Sequence, residues 1–113
     1  MEISPISDRL VKVTLTGRLD APTVDRIETR LTAALVPGAN NAIIDLSGVD
    51  FVASLGIRML ISAAKSLKMR QAKLAVYGTQ DQVRQVFELV SLQQMLNICA
   101  TEEEARAAVA PAR

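Results

Sequence analysis

Ser54 is the residue around which chemistry can be built. The stretch Asn41–Leu60, NAIIDLSGVDFVASLGIRML, begins with an apolar run (Ile43, Ile44, Leu46) and breaks at Ser47-Gly48. A short link containing Asp50 and Phe51 follows, and Ser54 then stands at the entrance to a helix. A hydroxyl in that position meets free N–H groups and the positive end of the helix dipole, a setting that suits an anion or a phosphate made in place. A phosphoserine carries roughly −1.5 to −2 charges. The fold itself would feel a dipole interaction of only about 0.3–1 kcal/mol. A partner packed over the site would have to desolvate the group, at a cost of several kcal/mol, and each step of about 1.4 kcal/mol is tenfold in affinity. The plainer reading of the same residue is a helix N-cap.

The neighbours of Ser54 carry paired readings too. Leu55 offers no second hydroxyl. Gly56, in the first helical turn, gives up about 1 kcal/mol against Ala, which points to close backbone approach, either by a partner or by the chain's own sheet. Arg58 lies one turn later. Helical side chains lean toward the N-terminus, so its guanidinium can reach back to steady a phosphate or contact a partner; an ordinary solvated Arg is the alternative. Asp20, Asp45 and Asp50 each sit near a strand end or turn. Converging, they would make a cation site; apart, they do the turn and cap duty usual for Asp. No metal site is expected. Cys99 reads as a small buried hydrophobe, Met59, Met69 and Met95 as core filler, and Tyr77 as a sheet-edge residue with its hydroxyl in solvent.

Absences narrow the field. With no His in 113 residues, a Ser-His-Asp or Cys-His nucleophile is excluded, as is a His or Cys metal cluster. Neither G-x-x-x-x-G-K-[ST] nor G-x-G-x-x-G occurs, so the usual nucleotide loops are missing. No catalytic residue and no cofactor is expected. A net charge of +1, with acids and bases interspersed, argues against nucleic acid and an electrostatic membrane anchor. No apolar run approaches the roughly 18 residues of a membrane span, so no membrane insertion is expected. The start Met-Glu-Ile-Ser-Pro lacks signal-peptide character, and the single cysteine suits a reduced, cytoplasmic setting.

The elements that must position Ser54 follow from periodicity. The length fits one domain spanning 1–113, with about 110–113 as a frayed tail. Half the residues are apolar and only 3% aromatic, so the core is aliphatic. Ile3–Ser7 reads as an edge strand, Asp8-Arg9 as a turn, and Leu10–Thr16 as an alternating strand stopped by Gly17. Asp20-Ala-Pro-Thr opens a helix carrying Val24, Ile27, Leu31, Ala34 and Leu35, ended by Pro37-Gly38. Ala42–Leu46 is a short central strand. Ser54 to about Met69 is the second helix, with Arg58, Ser62, Lys65 and Lys68 as its polar stripe. Lys73–Tyr77 is a strand. Thr79 caps a third helix with Val83, Val86, Phe87 and Val90. Ile98–Ala100 is a last strand, and Thr101-Glu-Glu-Glu opens a final helix through about Val109. The order β-β-α-β-α-β-α-β-α gives the α/β class: a small mixed β-sheet of 4–5 strands packed by about four helices.

Two segments resemble a known family. Leu15-Thr-Gly-Arg-Leu-Asp20 is similar to the L-x-G-x-L-D signature that opens STAS domains. Asp45-Leu-Ser-Gly-Val-Asp-Phe51 followed by Ala53-Ser-Leu-Gly-Ile57 resembles that family's central motif, an apolar strand leading to D-S-[ST]-G. Order and spacing match over nearly the whole chain, and the likeness is to stand-alone bacterial anti-sigma factor antagonists. The resemblance implies that Ser54 is the regulatory serine and that an anti-sigma factor with serine kinase activity phosphorylates it, using the kinase's own ATP and magnesium. It implies that the unmodified antagonist binds that kinase and frees the sigma factor, and that a phosphatase resets the cycle. Asp20, Asp50, Ala53, Ser54, Leu55, Gly56 and Arg58 would then form the partner-binding face. One departure stands out. Ala53 occupies the motif's Asp position and Leu55 that of its second hydroxyl, leaving Asp20 and Asp50 to compensate. The rival role within the family is a non-phosphorylated subunit clamping the ATPase of a bacterial lipid-transport ABC system; Ala53 leans toward it. Oligomeric state is not determined by these residues.

Overall fold

The computed structural model describes residues 1–38, 40–89 and 96–110. Among them five strands and four helices follow in the expected order: β1 Glu2–Ser7, β2 Leu10–Leu19, α1 Ala21–Leu35, β3 Asn41–Val52, α2 Ser54–Met69, β4 Leu74–Tyr77, α3 Asp81–Leu89, β5 Asn97–Cys99 and α4 Glu102–Ala108. The sheet order is β1-β2-β3-β4-β5. β1 runs antiparallel to β2, and the remaining pairs are parallel.

Each crossover from β2 onward advances by one strand in the same direction. Crossovers share one hand, so α1, α2 and α3 land on one face of the sheet. That face holds the main core: Val13, Leu15, Leu19, Ile44, Leu46 and Val76 from the strands, with Leu31, Met59, Leu60, Leu67 and Phe87 from the helices. Alternation along the strands sends Ile43, Ala75 and Tyr77 to the other face, where α4 covers them with Ala105 and Val109. No charged side chain is buried among the described residues, so burial of aliphatic surface holds the layers together.

β2 and β3 outrun their predicted ends. Gly17 does not stop β2, because at φ +83° it takes a left-handed conformation that lets the strand continue to Leu19. Ser47-Gly48 does not end β3 either. Thr14 pairs with Asp45 but Thr16 with Gly48; Gly17 pairs with Val49 but Arg18 with Phe51. β3 therefore carries an extra residue at each of two irregularities, the local signature of bulges. The Asp45 carboxylate folds the first one by accepting from the Ser47 N–H at 2.9 Å and the Ser47 hydroxyl at 2.7 Å. β4 pairs with β3 only from Ala42 to Asp45, so beyond that point β2 and β3 run on as a two-stranded ribbon.

Other expectations need correction. Met69 is 86% exposed, whereas Met59 is core; Met95 and Val90 lie outside the described residues, as do 111–113. Tyr77 is buried on a strand flanked on both sides, and its hydroxyl donates to Glu102 rather than to solvent. α3 begins at Asp81, with the Arg84 N–H donating to the Gln80 carbonyl, so Gln80 and not Thr79 holds the cap position. Cys99 is half-buried.

Candidate docking site at the start of helix α2

The β2–β3 ribbon delivers the chain to α2. The Ala53 N–H donates to the Leu19 carbonyl at 2.9 Å, which ties the helix entrance to the end of β2. Gly56 completes that seat. A Cβ there would lie 2.8 Å from the Leu19 carbonyl oxygen and 2.9 Å from Leu19 Cβ. The close approach foreseen at Gly56 is thus made by the domain's own β2.

The N-cap of α2 is Ala53, in an extended conformation and without any side-chain cap. Ser54 is the first helical residue, so its hydroxyl does not do the capping that the plainer reading assigned to it. Ser54 is exposed. No acidic residue occupies the first turn. A negative charge gained at Ser54 would meet uncapped N–H groups and no neighbouring carboxylate within its own turn.

The remaining candidates divide in two. Leu55 (39% exposed) and Arg58 share the open surface with Ser54. No hydrogen bond or ion pair of Arg58 is present among the described residues, so a reach back to Ser54 is not formed in this state. Asp50 is exposed, and its backbone carbonyl accepts from Gln82 at 3.4 Å. Asp20 serves α1: its Oδ1 accepts from the Thr23 N–H at 3.2 Å, and that bonding, aided by Arg18, holds its carboxyl below the usual range. Asp45 serves the bulge. The Asp20 and Asp45 carboxylates have separate structural duties and that of Asp50 is exposed; no cluster able to hold a metal occurs among the described residues.

Sequence reasoning passed over Arg18 and Phe51. The ribbon pairs them in register, and the Arg18 guanidinium lies over the Phe51 ring at 4.0 Å from its centroid. Phe51 is 38% exposed. A large aromatic three residues before Ser54, in a chain with two phenylalanines and no tryptophan, was the available signal.

Two motif segments some thirty residues apart thus meet at one end of the sheet. A family model for the STAS domain matches residues 3–105. The chain belongs to the STAS domain family. An anti-sigma-B factor antagonist of Listeria monocytogenes is 29% identical over 94 residues, covering 83% of this chain and 82% of the relative. Among solved structures, the anti-sigma factor antagonist SpoIIAA in its unphosphorylated form is similar with a TM-score of 0.73 and 23% identity, over 95% of this chain and 94% of that one. The phosphorylated form of SpoIIAA, a Bacillus cell fate determinant, gives 0.72 and 23% over 95% and 96%. These likenesses show the fold of this STAS domain: a five-stranded mixed sheet with four helices. Among its described residues, no helix is long and apolar enough to cross a membrane.

Proposed function

We propose that this STAS domain, spanning 1–113, is an anti-sigma factor antagonist: a non-catalytic switch that binds a serine-kinase anti-sigma factor and is released when Ser54 is phosphorylated. The observation that carries the proposal is the state of Ser54, exposed at the first position of α2, with neither a capping role nor a carboxylate in its turn. The names of its relatives, and the existence of SpoIIAA in both phosphorylation states, support the same reading.

The physical logic separates host from visitor. Added charge at a helix start is tolerated by the helix, whereas a packed partner would have to strip water from it. The kinase supplies ATP and magnesium. The γ-phosphoryl moves to Ser54 Oγ as the hydroxyl proton leaves and ADP departs. Ala53 places no base beside Ser54, so the proton acceptor is the kinase's own. A phosphatase reverses the modification, and the cycle belongs in the cytoplasm.

Capture by a cognate anti-sigma serine kinase from the same organism, compared for wild type, Ser54→Ala and Ser54→Asp, tests the switch. Wild type and Ser54→Ala are expected to bind, and Ser54→Asp to bind at least about tenfold more weakly. Equal binding by all three defeats it. Ala53 favours one second reading, an ATPase-clamping subunit of a lipid-transport ABC system with no covalent cycle; co-purification with an ATPase subunit and no phosphate on Ser54 would establish that role instead.

A further inference from the structure

Arg18 is held in place without being satisfied. Its guanidinium lies 4.0 Å from the centre of the Phe51 ring. Its charged contact is one long pairing, Nε to Asp20 Oδ2 at 3.6 Å, with the Arg18 side chain 59% exposed. Asp20 itself is committed through Oδ1 to the start of α1. The ring gives the guanidinium a resting place, and the terminal N–H groups make no hydrogen bond among the described residues. A planar fork of donors, pre-set and open to solvent, matches a carboxylate in two-point geometry. The contact with Phe51 lowers the ordering cost that a partner has to meet.

Position and charge select the occupant. Phe51 and Leu55 are the exposed apolar groups flanking Ser54, and arginine beside an aromatic is the composition in which binding energy concentrates. Of the charged groups at this end, Arg18 and Arg58 are exposed cations, Asp50 is an exposed anion, and Asp20 is engaged. Asp20 keeps its charge while bonded, so these four groups balance; what selects an acidic contact is the Arg18 guanidinium itself, whose open terminal donors fit a carboxylate.

We propose that Arg18, laid on Phe51, is the specificity-determining contact of the docking face and receives a carboxylate side chain of the anti-sigma partner. This rests on the reading of the chain as an antagonist, and it deepens that reading. An acidic patch that recognises Arg18 is repelled by a phosphate on Ser54, so one surface gives both recognition and release.

The test measures binding of the anti-sigma kinase that captures the wild type to wild type, Arg18→Ala, Arg18→Lys and Phe51→Leu at low and high salt, with thermal midpoints recorded alongside. Arg18→Ala is expected to weaken binding at least about tenfold and to flatten its salt dependence. Arg18→Lys keeps the charge without the fork and recovers only part of the affinity. Phe51→Leu, which frees the guanidinium, falls between wild type and Arg18→Ala. Unaltered midpoints keep the effect at the interface. Wild-type affinity and salt dependence in Arg18→Ala overturn the proposal and leave the antagonist reading standing. Failure of wild type itself to bind removes both.

Discussion

Helix α2 and helix α4 are built on opposite principles. α4 has only seven residues, Glu102–Ala108, yet both ends of its first turn are bonded. Thr101 accepts from the Glu104 N–H at 3.2 Å, and the Glu104 carboxylate reaches back past the cap to accept from the Ala100 N–H at 2.9 Å, a variant of the capping box. Glu102 then accepts from Lys12 at 2.9 Å, from Tyr77 at 3.2 Å and from Arg106. α2 has sixteen residues, buries Met59, Leu60, Ala63 and Leu67, and starts on Ala53 with no side-chain cap. A two-turn helix cannot hold itself by burial and needs its polar latch. A four-turn helix is secured by its apolar face, so its first turn can stay open. The less satisfied of the two helix starts carries the candidate switch, as expected where local rules yield to function.

Perturbing the seat of α2 should have the largest effect. Gly56→Ala gains helix propensity but drives a methyl against the Leu19 backbone at 2.8 Å. Overpacking of that kind costs about 1–3 kcal/mol, and after the propensity gain of about 1 kcal/mol a net loss of up to about 2 kcal/mol is expected in denaturant unfolding. A gain in stability would mean that α2 is not pressed on β2.

The latch of α4 comes next. Glu102→Gln should cost about 1 kcal/mol, limited by solvent at a side chain that is 33% exposed. Lys12 first, then Arg106, holds the Glu102 carboxyl down at about 2 against an ordinary 4.5. A depressed carboxylate stabilises the fold fully above about pH 4.5, and the contribution fades as pH falls toward 2. Burial first, and then the nearby Asp45 charge, pushes the Tyr77 phenol from 10.0 to about 12. A raised group favours the fold below pH 10 and loses that support as pH rises through 12. With one tyrosine and no tryptophan, tyrosinate absorbance reads this site alone. Half-ionisation near 12 is expected in wild type; a value near 10 would show α4 undocked.

The smallest expected change is a gain. Ala53→Asp supplies the missing cap and should stabilise the domain by about 0.5–1 kcal/mol. It also sets a carboxylate at the threshold of Ser54. A neutral result in thermal unfolding would show that the open start of α2 is already served in another way.

The fold was legible because its signals are local and repeated. Val11, Val13 and Leu15 alternate in the sequence and are buried in the structure, and the order of elements implied parallel crossovers. The long-range features were not legible. Ser47-Gly48 has the composition of a turn, and nothing local shows that Thr16–Leu19 runs alongside to keep the strand going. Tyr77 can face solvent or a helix with equal local merit; α4, packed from the end of the chain, decides. Ser54 was legible as a hydroxyl at a helix start, but its one-residue offset from the cap depends on Leu19 capturing the Ala53 N–H. The Arg18–Phe51 pair depends on two bulges, which no periodicity reports.

The central claim is that charge on Ser54 ejects the partner and spares the fold. Protein phosphorylated at Ser54, confirmed by intact mass and site mapping, should be compared with unmodified protein for kinase affinity and thermal midpoint in the same buffer. The expected result is at least about a tenfold loss of affinity with a midpoint unchanged or slightly raised. Undiminished binding, or a phosphorylated protein that unfolds, would contradict the claim.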